Sequence, residues 1–264
     1  MWKAKAFRYI GGELRVSTLR VIHKLLQYPA VKIIDDLLAA LTTDAPVREV
    51  RAGPYWVAVC SRHCGLAATL GQAAGIDAAS LTGRSARDLA ELARSHTLPE
   101  ASLGMAAVNS LLDVDESRCV DLNGRDLLIE RGRGKRVALV GHFPFVPALR
   151  EAVGHLWVLE LHPRPGDLPA AAAERIIPQA DVVAISGTAF LNHTIDALLS
   201  YRRPGALVVV LGPTTPLSPV LFAHGIDVIS GARVVVPEAA LRYVSEGKSF
   251  REMPGVRLLT MRRR

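Results

Sequence analysis

Arg136-Val137-Ala138-Leu139-Val140 runs directly into Gly141-His142-Phe143-Pro144, and the same grammar returns further down the chain. Leu156 to Leu159 leads into Glu160-Leu161-His162-Pro163, and Asp181 to Ile185 into Ser186-Gly187-Thr188. Leu207 to Leu211 leads into Gly212-Pro213-Thr214-Thr215, and Val228-Ile229 into Ser230-Gly231. Short β-branched runs separated by helix-length segments predict strand–helix–strand units of a parallel sheet. The carboxyl ends of such strands face one crevice, where ligands bind. Gly141, Glu160, Gly187, Gly212 and Ser230 are therefore expected along one edge.

At 264 residues, half of them hydrophobic, the chain is long enough for one large or two ordinary domains. No apolar run reaches the roughly 18–20 residues that cross a bilayer. Met1-Trp2-Lys3-Ala4-Lys5 leads into mixed polar sequence rather than the apolar core of a secretory signal. A soluble cytoplasmic protein with no membrane partner is the expectation. Three cysteines do not make a disulfide framework. The net charge is +7, yet basic residues are scattered outside two runs. Arg131-Gly132-Arg133-Gly134-Lys135-Arg136 reads as a solvated linker and Arg262-Arg263-Arg264 as a frayed tail. The three Trp, five Tyr and six Phe are dispersed, so no stacking platform for nucleic acid emerges. A small anion is the better use of the positive charge. A homo-oligomer is left open.

The first part of the chain has a different style. Leu19, Ile22, Leu25 and Leu26, then Ile33, Leu37, Leu38 and Leu41, are spaced as one buried helical face or as two faces joined at Pro29. Val47 to Val50 and Tyr55 to Cys60 predict strands, with Gly65 to Leu70 returning as a hairpin partner across Ser61-Arg62-His63. Ser85 is placed to cap a helix through Leu89, Leu92 and Ala93. Pro99 to Leu112 predicts a second helix whose many small side chains suit close packing. A polar connection follows, with a short strand expected at Leu127 to Ile129. The boundary falls near residues 113–130. It gives an α+β domain over 1–120 and an α/β domain over 121–264.

Gly141-His142-Phe143-Pro144 stands where a dinucleotide-binding protein places its phosphate loop, but G-x-G-x-x-G is missing and Phe143 and Val146 are bulky. Glu160 follows at near the roughly 20-residue spacing of a ribose-binding acid; a solvated strand end is the alternative. Gly187 and Thr188, with Asn192-His193-Thr194, form a second loop. Asn192 or Thr194 there either meets a ligand or caps the next helix. Thr214 and Thr215 sit between prolines and are expected as rigid hydrogen-bond donors at the cleft mouth, whereas Ser218-Pro219 reads as a helix start. Eight histidines include no H-E-x-x-H or H-x-H. His142, Glu160 and His162 are the candidate ligands for a divalent transition metal, all at strand ends, with hydrogen bonding to an organic anion as the competing role. Cys60, His63 and Cys64 in one turn are either a partial soft-metal cluster or plain buried volume.

Taken together, Val140-Gly141-His142-Phe143-Pro144-Phe145, Gly166-Asp167-Leu168-Pro169, Ala180-Asp181-Val182-Val183, Ser186-Gly187-Thr188, Gly212-Pro213-Thr214-Thr215-Pro216-Leu217-Ser218-Pro219 and Ser230-Gly231 resemble the putative heavy-metal-chelation family of prokaryotic proteins. The resemblance covers roughly residues 120–250, and more loosely the first half. It implies an enolase N-terminal-like domain followed by a Rossmann-like domain, with a site in the interdomain cleft. It also places Asn109 at the family's helix asparagine. The family carries Asn-Gly-Thr where this chain has Asn192-His193-Thr194, so His193 is expected either to narrow the pocket or to add a ligand.

The functional expectation is a protein that handles a small anionic or metal-bound ligand in that cleft. The ligand would be lined by Asn109, Gly141, His142, Phe143, Pro144, Glu160, Gly187, Thr188, Asn192, Thr194, Gly212, Thr214, Thr215 and Ser230. No nucleophile–base pair can be read from spacing. A non-catalytic metal-sensing or delivery module and a nucleotide-dependent methyltransferase- or dehydrogenase-like enzyme are the alternatives.

Overall fold

The computed structural model describes residues 32–70, 76–249 and 253–263. The apolar stripe at Leu19, Ile22, Leu25 and Leu26 lies outside the described residues. Helix α1 (Lys32–Ala39) buries Ile33, Ile34, Leu37 and Leu38, the i, i+3, i+4 stripe expected of one helical face. Strands β1 (Glu49–Ala52), β2 (Trp56–Cys60) and β3 (Cys64–Ala68) form an antiparallel meander in that order. Helix α2 (Ala78–Leu81) precedes α3 (Ala86–Ala90), where Ser85 Oγ accepts the Asp88 N–H at 3.0 Å as the cap. Helix α4 (Leu98–Leu111) starts with Pro99 in its first turn. Its small residues serve close packing: a Cβ on Gly104 would stand 2.0 Å from Ala93 N, and one on Gly65 2.1 Å from Ala106 O.

The second part alternates strand and helix. Its elements are β4 (Cys119–Val120), α5 (Gly124–Gly132), β5 (Arg136–Val140), α6 (Val146–Ala152), β6 (His155–Glu160), β7 (Leu168–Pro169), α7 (Ala173–Ile176) and β8 (Val182–Ser186). They continue through α8 (Thr188–Leu191), α9 (Ile195–Ser200), β9 (Leu207–Leu211), α10 (Val220–Ala223), β10 (Val228–Val234), α11 (Pro237–Ser245) and β11 (Val256–Arg262). The sheet order is β4-β11-β10-β9-β8-β5-β6-β7. From β10 to β7 all pairs are parallel. The chain leaves β5 toward β6 and later returns to its other side at β8, which makes β5/β8 the switch point of an open α/β sheet.

Three local expectations change. The sheet is mixed: β11 runs antiparallel to β10, with Val228 opposite Arg262, so Arg262 belongs to a strand rather than a frayed tail. Leu127 to Ile129 is helical, because Asn123 caps α5 through Oδ1 to the Arg125 N–H at 3.0 Å and Leu127 and Leu128 share its buried face. Cys60 and Cys64, directly opposed in the β2–β3 register, are joined as a disulfide. Among the described residues no helix is long and apolar enough to cross a membrane.

Side-chain alternation splits the large sheet into two buried faces. Val137, Leu139, Val182, Ala184, Val209 and Leu211 pack beneath α5 and α6. Ala138, Val183, Ile185, Val208 and Val210 face the other way and share one continuous core with Ile33, Leu37, Val57 and Leu111. The first part of the chain is therefore packed onto one face of the large sheet.

Candidate ligand-binding site

The strand ends meet at a common level because three glycine N–H groups close the ladder onto neighbouring strands. Gly141 donates to Leu159 O at 2.9 Å, Gly187 to Leu211 O at 2.8 Å and Gly212 to Ser230 O at 3.0 Å. Gly141 and Gly212 take φ of 100° and 114°, a turn that glycine makes without strain. Gly187 has a different reason: a Cβ there would lie 2.6 Å from Thr215 Oγ1 and 2.8 Å from Thr215 N. Glu160 and Ser230 fall on the same edge, Ser230 opposite Leu211 and Glu160 ending β6. The Ser230 hydroxyl is paired with Thr260 Oγ1 at 2.6 Å.

His142, Glu160 and His162 converge, but through the backbone. Glu160 Oε2 accepts the His142 N–H at 2.8 Å, and its Oε1 accepts those of Leu161 at 2.7 Å and His162 at 3.5 Å. His142 Nδ1 pairs with Asp167 Oδ2 at 2.8 Å. Glu160 therefore organises the loops after β5 and β6 with both oxygens. Among the described residues no group of three or more His, Cys, Asp or Glu side chains is arranged to hold a metal ion. The donors at this edge do not fit a metal held by protein side chains alone.

Two cavities flank the strand ends. The smaller, about 70 Å³, is lined by Gly141, Glu160, Ser186, Thr188, Asn192 and Thr194. Its polar groups are satisfied mutually: Thr188 Oγ1 donates to Ser186 Oγ at 2.9 Å and Thr194 Oγ1 to Asn192 Oδ1 at 2.7 Å. Such a space admits a few waters or a small anion. The larger cavity, about 450 Å³, lies on the α5/α6 face and is lined by Arg125, Phe143, Phe145, Gly212, Ser230 and Gly231, with Pro144 beside them. Phe143 and Phe145 stack with centroids 5.0 Å apart and planes 23° from parallel. Arg125 brings a guanidinium, one edge of it on Asp126 at 2.8 Å.

Other expected site residues form the seam between the two parts of the chain. Thr214 and Thr215, expected at a cleft mouth, are 2% and 1% exposed and line neither cavity. Thr214 Oγ1 accepts the Ala68 N–H at 2.9 Å. Asn109 Nδ2 donates to Leu66 O at 2.9 Å and to Thr214 O at 3.1 Å, so Asn109 reaches the 212–219 loop and ties it to β3. Thr215 Oγ1 is buried without a hydrogen-bond partner. His193 has φ of 57°, the backbone for which glycine is suited, and its Nε2–H donates to Ala93 O at 2.9 Å. Its ring meets His96 edge-on, centroids 5.3 Å apart. Burial pushes the His193 imidazole below its ordinary value and holds it neutral. His193 lies outside the lining of both cavities.

Arg125 and the start of α5 escaped the sequence reading, although Asn123 followed by Asp126 in the first turn is a helix-start signal. Both strand-end cavities are lined wholly by residues of the second part.

Residues 123–261 match the family model DUF364, and residues 34–112 match DUF4213, each described as "Putative heavy-metal chelation". An uncharacterized protein of Methanocaldococcus jannaschii is 32% identical over 167 residues, which span 60% of this chain and 64% of that protein, a little under two thirds of its length. The crystal structure of a DUF364-family protein of unknown function from Desulfitobacterium hafniense has a TM-score of 0.79 at 29% identity, covering 88% of this chain and 98% of that one. A second, from Pyrococcus horikoshii, shares the fold with a TM-score of 0.74 at 22% identity, covering 88% and 99%. With more than half its length matched by the family model and its strand-end loops in place, the chain belongs to the DUF364 family.

Proposed function

We propose that this protein binds a small, planar, anionic ligand in the 450 Å³ cavity at the end of β9, beside the middle of β10. The observation that carries this reading is the wall formed by the stacked Phe143 and Phe145 beside Arg125 and three glycines. The volume falls in the range of small-molecule sites, and the wall combines an apolar face with one cation. An aromatic face stacks on a flat ligand, and a guanidinium orients its charged edge. The family description speaks of chelation, and the donors at the strand ends do not make a protein-only metal centre. A metal would therefore reach this cavity already held by the organic ligand, with the protein gripping the complex rather than the ion. The meander β1–β3 followed by helices supports reading the first part as an enolase N-terminal-like companion that braces the loop after β9. The reading is of binding and delivery, since no nucleophile–base pair stands in the cavity.

The test uses anilinonaphthalene sulfonate, a flat aromatic anion whose fluorescence reports binding to the full chain. Phe143→Ala and Arg125→Ala are each expected to weaken its affinity about tenfold, equivalent to about 1.4 kcal/mol. Glu130→Ala, at an exposed position of α5 outside the cavity lining, is the control. Equal affinity in the two cavity variants and the control rejects the site.

A further inference from the structure

The β2–β3 hairpin turns through Ser61-Arg62-His63, and its register sets Cys60 directly opposite Cys64 with Cα atoms 4.1 Å apart. The turn has other ties. Ser61 N–H donates to His63 O at 2.8 Å, His63 N–H donates to Ser110 O at 2.9 Å, and the Ser61 and Ser110 hydroxyls pair at 2.6 Å. Backbone and hydroxyl bonds thus keep the two cysteines opposed whether or not their sulfurs are bonded. Cys64 opens onto a cavity of about 340 Å³ lined by both parts of the chain, with Arg48, Arg62, His63, Glu116 and Arg233 around it.

The wall of this cavity is rich in guanidinium groups. Arg48, Arg62 and Arg233 stand on it with Glu116, Arg62 being paired with Asp113 at 2.9 Å, and this positive charge offsets the negative charge of a metal-bound thiolate pair. Arg233 Nη2 donates to His63 Nδ1 at 3.2 Å, which fixes the proton on Nε2, where it is donated to Asp113 Oδ1 at 2.8 Å. Asp113 is held below the usual carboxylate range first by Arg62 and then by His63. With both ring nitrogens used, His63 has no lone pair to offer a metal. The cluster supplies two sulfurs and nothing more, which suits a soft cation content with two thiolates and not zinc, which requires four donors.

We infer that Cys60 and Cys64 are a reversible dithiol that, once reduced, holds one Cu(I)-like soft cation at the inner end of this cavity. Reduction by an external thiol brings in two electrons and two protons, and the reductant leaves as its own disulfide. Cation binding then forms two metal–sulfur bonds and releases both sulfhydryl protons to solvent. The third cysteine, Cys119, is half-buried and stands apart, its thiol pushed up chiefly by burial. This site is independent of the strand-end cavity.

The experiment takes the full chain, reduced with a phosphine and desalted under nitrogen, and titrates it against the coloured Cu(I)–bicinchoninate complex. One Cu(I) is expected to transfer per chain, and only one of the three thiols should then react with a thiol reagent. Cys119→Ser should transfer as much copper, whereas Cys60→Ser and Cys64→Ser should each lose at least tenfold in affinity. Should either serine variant fail to fold, thiol protection in the wild type decides: all three thiols reacting in the reduced, copper-free chain and Cys119 alone once copper is present upholds the site, and equal protection without copper overturns it. No transfer to reduced, natively folded protein, unchanged transfer in the serine variants, or all three thiols reactive with copper present overturns it.

Discussion

Replacing Asn109 by alanine should loosen the seam between the two parts of the chain by a calculable amount. The Asn109 amide donates to Leu66 O at 2.9 Å and Thr214 O at 3.1 Å. Leu66 and Thr214 are each 2% exposed, so neither carbonyl can turn to water instead. Two lost hydrogen bonds at about 1 kcal/mol each, with the desolvation cost of stranded acceptors added, give about 2–4 kcal/mol. For a chain of this size that lowers Tm by on the order of 5–10 °C, readable by scanning calorimetry at neutral pH. Asn109→Asp should be worse, because it aims carboxylate oxygens at two carbonyl acceptors. Thr214→Val removes the acceptor of the Ala68 N–H in the same seam. The double variant should therefore lose less than the sum of the singles, since both cut one network. Neither single variant should change the affinity for anilinonaphthalene sulfonate. A loss below about 0.5 kcal/mol for Asn109→Ala, the level of an ordinary surface change, would refute the reasoning.

Gly187→Ala should destabilise by about 1–3 kcal/mol in urea unfolding, since its Cβ meets Thr215 backbone that cannot step aside; a variant as stable as the wild type would show that the two loops have slack. The neutral, buried His193 makes a pH prediction. Its folded pKa lies below the unfolded value of about 6.5, so the unfolded chain binds the proton more readily. The stability it contributes is complete above that pH and is lost as pH falls below it. The Tm difference between wild type and His193→Gly should accordingly shift against the wild type on acidification, and a difference that is flat with pH would exclude His193 as the titrating group.

The central strands could be read from sequence because they are buried on both faces and appear as continuous apolar runs. Val137-Ala138-Leu139 supplies residues to both cores at once. The outer part of the sheet was less legible. β11 alternates less cleanly, its first residues are half-buried and its end merges into an arginine run, so nothing local separates it from a tail. Leu127-Leu128-Ile129 fails for a different reason. Three adjacent apolar residues fit a strand or a helix equally well, and the decision lay with the cap at Asn123, four positions upstream.

The candidate site divides along the same physical line. Gly141, Gly187 and Gly212 were legible because each ends an apolar run, and the backbone there must turn or pass close to another loop. The part played by Asn109, Thr214 and His193 was not, because each acts across a sequence separation of 100 to 146 residues that no local spacing encodes. His193 is the sharpest instance. At φ of 57° the backbone asks for glycine, and a histidine persists there with its ring hydrogen-bonded to Ala93 O and packed on His96. The cost of a left-handed non-glycine residue, about 1 kcal/mol, is of the same size as one net hydrogen bond. The side chain that sequence reading placed in the pocket, as obstruction or ligand, instead turns away from the cavities and joins the two parts of the chain. Its substitution should therefore register in stability and its pH dependence before it registers in binding.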